Sequence, residues 1–282
     1  TTVSMKSVIL QGYNHAPGLT YDIYWDNLNT FCSPSATANT PTIGVLLAAA
    51  SGTAAVTVQD NSVRDAFYAY VLSAVTTTPR TTIKGGTYTN LVQGVAAVNT
   101  LNGVTYAPST VGVENLTFND FAGDYPAIPA ANFHAGIYGF TGGSNATHTV
   151  DILVNNVTLK NTGKTAPNSA GLYLADFSTG AGNRLNATVT LSTIQDNKNR
   201  GVEVRGANAT ASVSTSHILG NGVDPFGTGG NHGYGVYSGV GSTVTLLNNF
   251  IANPAVQISD NVTALYEGVA PAATIIAHDN SI

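Results

Sequence analysis

Five charged residues fall close together in the sequence: Asp196, Lys198, Arg200, Glu203 and Arg205. They stand out because Lys, Arg, Asp and Glu make up only 9% of the 282 residues. Glu203 and Arg205 lie two apart in the run Gly201-Val202-Glu203-Val204-Arg205. On a strand both project from one face, so Val202 and Val204 take the core and the charged pair faces solvent. A carboxylate beside a guanidinium can hold a ligand, and it can also transfer a proton. Glycosyl hydrolysis needs a second carboxylate facing the same substrate. The chain has three Glu (Glu114, Glu203 and Glu267) and scattered Asp, of which Asp176, at the end of the preceding similar run, is the one candidate partner for Glu203. An enzyme reading therefore rests on Glu203, Asp176 and Arg205, with Glu203→Gln abolishing turnover. The competing reading is a solvated, salt-bridged face, and no catalytic residue is assigned outright.

Aligning the Gly-led runs places Tyr138, Tyr173, Glu203, Tyr237 and Gln257 in one outward row, with neighbours about 4.8 Å apart. Tyrosine offers an apolar ring with a polar tip, which suits sugar rings and protein partners alike. The same row could equally serve only to stack coil on coil. Together with Arg205 these residues form the candidate binding surface. The histidines (His15, His134, His148, His217, His232, His278) are dispersed without metal-ligand spacing and read as loop or surface residues. A single cysteine, Cys32, excludes an intrachain disulfide and a cysteine zinc site. No metal and no cofactor are expected.

The elements that would position these residues come from an internal repeat. One run recurs as Gly44-Val45-Leu46-Leu47, Phe67 to Val71, Gly94 to Val98, Gly136-Ile137-Tyr138, Gly171 to Leu174, Gly201 to Arg205, Gly235-Val236-Tyr237 and Ala255 to Ile258. A second type alternates with it, including Thr188-Val189-Thr190-Leu191, Ser212-Val213-Ser214, Thr243-Val244-Thr245-Leu246 and Thr274-Ile275-Ile276. It often runs into a Ser or Asn two residues before an apolar one, as in Ser192/Ile194, Ser216/Ile218, Asn249/Ile251 and Asn280/Ile282. Strands this short bury their apolar face only by stacking on the next coil. No stretch has the periodicity of a long amphipathic helix. Val189, Leu191, Val213 and Val244 are expected to share one core with Val202 and Val204.

The Gly-Val-x-Val strand, the Thr-Val-Thr-Leu strand and the Ser-x-Ile-x-x-Asn turn (Ser192 to Asn197, Ser216 to Asn221) resemble the repeat of the pectin-lyase-like superfamily. The resemblance covers roughly residues 40 to 282, and a strand over Val3 to Gln11 extends it. It implies an all-β fold, a single right-handed parallel β-helix of roughly eight or more irregular coils with long loops. The whole chain then reads as one domain, with 1–43 as a less regular N-terminal coil. That superfamily spans polysaccharide lyases, hydrolases, epimerases, phage tailspikes and non-catalytic adhesins, so the resemblance does not choose a function.

Composition narrows the field. The surface is solvated by 37 Thr, 19 Ser and 28 Asn, and the net charge is −5. So few basic residues argue against a nucleic-acid partner, and no apolar run is long enough to span a bilayer as a helix. Asn115, Asn145, Asn156, Asn186, Asn208 and Asn261 head Asn-x-Thr sequons and are candidate N-glycosylation sites, a number that the abundance of Asn, Ser and Thr already accounts for. The terminal runs Val3 to Leu10 and Ala273 to Ile282 read as uncapped strands. Val3, Val8, Ile9, Leu10, Ile275, Ile276 and Ile282 would then meet partner subunits by end-to-end stacking or strand exchange. The expected protein is an extracellular or cell-surface structural or adhesive subunit, secreted and already without its signal peptide, of a surface layer, sheath or appendage, or an adhesin passenger. The alternatives are a carbohydrate-active enzyme or phage tailspike, and a non-catalytic glycan-binding module.

Overall fold

A strand whose alternate residues are apolar leaves both edges open, and repetition along the chain lets each edge be filled by the equivalent strand one coil away. The computed structural model follows this rule. It describes residues 3–6, 9–11, 43–49, 56–74, 81–100, 102–106, 108–119, 134–163, 169–222, 234–252, 263–267 and 272–282. These hold twenty-one strands, β1 to β21, and no helix among the described residues. Every strand pairing is parallel, and the pairings sort into three ladders.

The first ladder runs through β1 (Val3–Lys6), β4 (Val56–Gln59), β6 (Thr81–Lys84), β8 (Ser109–Asn119), β10 (Thr149–Lys160), β12 (Arg184–Thr190), β15 (Ala209–Ser214), β18 (Thr243–Leu247) and β21 (Thr274–His278). The second runs through β2 (Ile9–Gln11), β5 (Ser62–Ala74), β7 (Thr87–Asn99), the far halves of β8 and β10, then β13 (Thr193–Gln195), β16 (His217–Leu219) and β19 (Phe250–Ala252). The third joins β3 (Ile43–Ala49), the far halves of β5 and β7, β9 (His134–Thr141), β11 (Ser169–Asp176), β14 (Arg200–Arg205), β17 (Tyr234–Gly239) and β20 (Thr263–Glu267). The chain is thus all-β, with parallel strands in stacked sheets.

Three ladders replace the two strand types read from the sequence. The Ser-x-Ile tail is a strand of its own, separated from the Thr-rich strand by a corner. Within the expected Val3 to Leu10 strand, the described residues form β1 and β2, which join different ladders. Ala255 to Ile258 lies outside the described residues, and β20 is the strand that pairs with β17. The Thr-Val-Thr-Leu runs are offset by two: Val189 stands opposite Val213 and then Leu246, whereas Val244 continues the column of Ala187 and Ala211. A period of two cannot distinguish these registers.

Val189, Val213, Val244, Val202 and Val204 share one buried core with Leu172, Leu174, Ile194 and Ile218. Leu191 does not join them. It sits at the corner with φ of 51° and is 59% exposed, because the chain turns there and Ser192 takes the inward place.

Corners remove backbone amides from the ladders, and buried amides need partners. Inward side chains supply them from coil to coil. Ser192 Oγ accepts from Val157 N, Ser216 Oγ from Ser192 N, Asn249 Oδ1 from Ser216 N and Asn280 Oδ1 from Asn249 N. At the next corner Asn197 Oδ1 accepts from Thr162 N and Oγ1 while its Nδ2 donates to Leu159 O and Asn221 Oδ1. Removing the Asn197 amide strands several buried groups at once, each at a cost of about 1–3 kcal/mol. Urea unfolding of Asn197→Ala should show a loss of at least that size. Ser212→Ala, at an exposed outer position, should stay within about 0.5 kcal/mol.

Candidate functional site

The third ladder positions the charged cluster. Val202 and Val204 point into the core, so Glu203 faces outward in register with Tyr173 on one side and Tyr237 on the other. Pairing skips Gly201, where a Cβ would stand 2.5 Å from the carbonyl oxygen of Gly235. This interruption of the in–out alternation carries Arg200 to the outer face beside Glu203. Arg200 Nη1 donates to Glu203 Oε2 at 2.6 Å, and Arg205 Nε donates to Glu203 Oε1 at 2.5 Å. Both guanidinium groups also lie over the Tyr237 ring, 4.9 and 5.1 Å from its centroid.

The expected solvent exposure of this pair is not what the fold delivers. The Glu203 and Arg200 side chains are 0% and 1% exposed, and that of Arg205 is 30%. Neighbouring tyrosines and the two long arginine side chains cover the carboxylate. Burial pushes the Arg205 guanidinium down, but the charge and hydrogen bond of Glu203 outweigh it, so the group is held above its ordinary value. Burial, assisted by the Glu203 charge, pushes the Tyr173 hydroxyl up to about 12.

The outer row matches the sequence reading at Tyr138, Tyr173, Glu203 and Tyr237. Gln257 lies outside the described residues, and Tyr266 on β20 is the register partner of Tyr237. Tyr138 stacks on Tyr173 with centroids 5.2 Å apart, and on Phe140 at 6.0 Å. Phe177, 48% exposed, extends this aromatic strip past Phe140. Ala135, Ala170 and Ala175 pack beneath it. Phe140 and Phe177 fall outside the outward row read from the sequence, which takes one position per strand.

Asp176 does not join Glu203. It continues the inward series Leu172 and Leu174, whereas Glu203 shares the outward column of Tyr173, so the two carboxylates lie on opposite faces of the sheet. Asp176 Oδ2 meets His148 Nε2 at 3.1 Å, and its Oδ1 accepts from the backbone N–H and hydroxyl of Ser178. Asn183 Nδ2 donates to Ser178 Oγ and to Ala146 O. His148, expected as a loop or surface residue, is fully buried here, and His134 is buried as well. Burial pushes the Asp176 carboxyl up, but the hydrogen bonds from His148 and Ser178 prevail and hold it below the usual carboxylate range.

Among the described residues, no three His, Cys, Asp or Glu come together as metal ligands. Of the sequon residues, Asn115, Asn145 and Asn156 are exposed, Asn186 and Asn208 are half-buried, and Asn261 lies outside the described residues. Asn156 Nδ2 donates to Asn115 Oδ1, and Asn186 bridges Asp151 and Thr210, so these amides already form ladders between coils.

Fold and site together define an all-β protein of stacked parallel sheets with a buried ion-pair cluster on one outer face. No protein-family model, no curated protein and no solved structure matches this chain.

Two outcomes follow from these environments. Glu203→Gln leaves Arg200 buried without its counter-charge, and breaking a buried pair from one side costs about 3–5 kcal/mol; chemical unfolding should show a loss of that order. Because the folded Asp176 carboxyl titrates below its unfolded value of about 3.9, its contribution is complete above that pH and fades as pH falls toward the folded value. Acid unfolding monitored by circular dichroism should therefore be shallower in Asp176→Asn than in the parent.

Proposed function

We propose that this chain is a right-handed parallel β-solenoid of the pectin-lyase-like kind. It serves outside the cell as a structural or adhesive subunit of a surface layer, sheath or appendage. The observation that carries the reading is the engagement of the two carboxylates, Glu203 and Asp176, that an enzyme reading would use. Both Glu203 oxygens are engaged by arginines, and Asp176 is locked inside with His148 and Ser178. Groups held this way lend rigidity to a scaffold, whereas acid–base turnover needs a carboxylate free to meet a substrate.

Assembly by end-to-end stacking belongs to the same proposal. β21 pairs with β18 along one edge and with no further strand among the described residues. Ile276 and Ile282 are 40% and 68% exposed there, and Ile275 is half-buried against the core. At the other end β1 pairs only with β4 and β2 only with β5 among the described residues. Val3, Ile9 and Leu10 lie on those two strands, and Val8 falls outside the described residues. Open parallel edges with apolar neighbours accept a further strand, and a head-to-tail contact of this kind propagates.

A second reading is a glycan-binding surface. The strip Tyr173, Tyr138, Phe140 and Phe177 favours it, since stacked rings beside polar tips suit sugar faces.

Negative-stain microscopy and sedimentation of the purified chain test the proposal. Salt-resistant filaments or stacks are expected, and Ile276→Asp should release monomers, because a charge would be buried at the seam. Parent protein that stays monomeric at high concentration would overturn the assembly reading. Monomers that bind a neutral glycan would leave the second reading in its place.

A further inference from the structure

The Arg200–Glu203–Arg205 cluster has two cations and one carboxylate. Glu203 uses one oxygen for each arginine, so within this trio one positive charge remains without a counter-charge. The deficit is localised at Arg200. Its Nη1 is bonded to Glu203, while Nε and Nη2 are buried and have no hydrogen-bond partner. These two atoms form the side-on edge of the guanidinium, two parallel N–H donors that match two oxygens of one carboxylate or phosphate.

An unpaired edge in this setting is costly. The side chain is 1% exposed, and a buried charged donor without a partner forfeits its hydration. Two features make the deficit specific rather than incidental. The face of the guanidinium is fixed over Tyr237 and its Nη1 is fixed by Glu203, so the edge cannot rotate to find another group without losing both contacts. Glu203 is likewise saturated, since its second oxygen is taken by Arg205. Arg205, 30% exposed, is the most accessible of the three side chains.

We propose that the Arg200 Nε–Nη2 edge is an oxyanion-binding site, taking a carboxylate or phosphate group as a bidentate ligand on the outer face of the third ladder. The bound group supplies the missing negative charge, and Tyr237 and Glu203 hold the fork ready for it. This site does not depend on the assembly reading, because it lies on the strand face and not on a ladder end.

Nitrogen-15 NMR of the full chain tests the site directly. There are five arginines, so the Nε–H signals are few enough to follow one by one. Sodium acetate, inorganic phosphate and sodium chloride are titrated separately at constant ionic strength. A saturable shift of one Nε–H signal is expected with acetate, phosphate or both, and none with chloride. Acetate alone marks a carboxylate site, phosphate alone a phosphate site, and both a general oxyanion site. Arg200→Lys retains the charge and loses the fork. It should remove the shifting signal and abolish the saturable rise in thermal midpoint that the active anion produces in the parent. Absence of any saturable shift in the parent overturns the proposal, and so does an equal thermal response in Arg200→Lys. Should that variant fail to fold, the titration of the parent still decides.

Discussion

Backbone amides at the corners between ladders are what the stack must satisfy. A parallel ladder takes care of its own N–H and C=O groups, but each corner lifts some of them out of the sheet while leaving them buried. In this protein the serine and asparagine columns do that work. Ser192, Ser216, Asn249 and Asn280 form one column, and Thr162, Asn197 and Asn221 form another. Each member bonds to the coil beside it, so the columns fix register as well as satisfying the backbone. A slip of one residue would turn every inward apolar side chain outward and break both columns together. The outer row at Glu203 inherits its alignment from this constraint.

The two ionic clusters differ in what the fold does with them. Asp176 and His148 lie inside, where hydrogen bonds from Ser178 and the imidazole hold the carboxyl in its charged form. Glu203 lies outside the core yet is just as completely covered, beside arginines whose planar heads lie over Tyr237. The inner cluster is closed upon itself apart from His148 Nδ1, which has no hydrogen-bond partner. The outer one carries an excess cation with an open donor edge, and that asymmetry makes the outer face the more informative place to look for a ligand. The aromatic strip beside it gives the same face an apolar neighbour.

Much of this arrangement is legible in the residues. The Gly-Val-x-Val runs announce parallel strands with Val202 and Val204 inward, and aligning them places Tyr138, Tyr173, Glu203 and Tyr237 in one row. Ser192, Ser216, Asn249 and Asn280 stand out by their fixed distance from the next isoleucine. These features are local and repeat, so a period of two and a recurring polar residue suffice to find them. What needed the tertiary structure were the matters that repetition leaves degenerate. The offset of two between the Thr-Val-Thr-Leu runs, the exposure of Leu191 and the pairing of Tyr266 with Tyr237 all depend on where each corner falls. The arrival of Arg200 on the outer face beside Glu203 depends on the Gly201 interruption. The burial of Glu203 depends on side chains from neighbouring coils, Tyr173 and Tyr237, converging on one carboxylate. Strand alternation specifies direction within one strand, but coverage is set by what the adjacent strands bring over it.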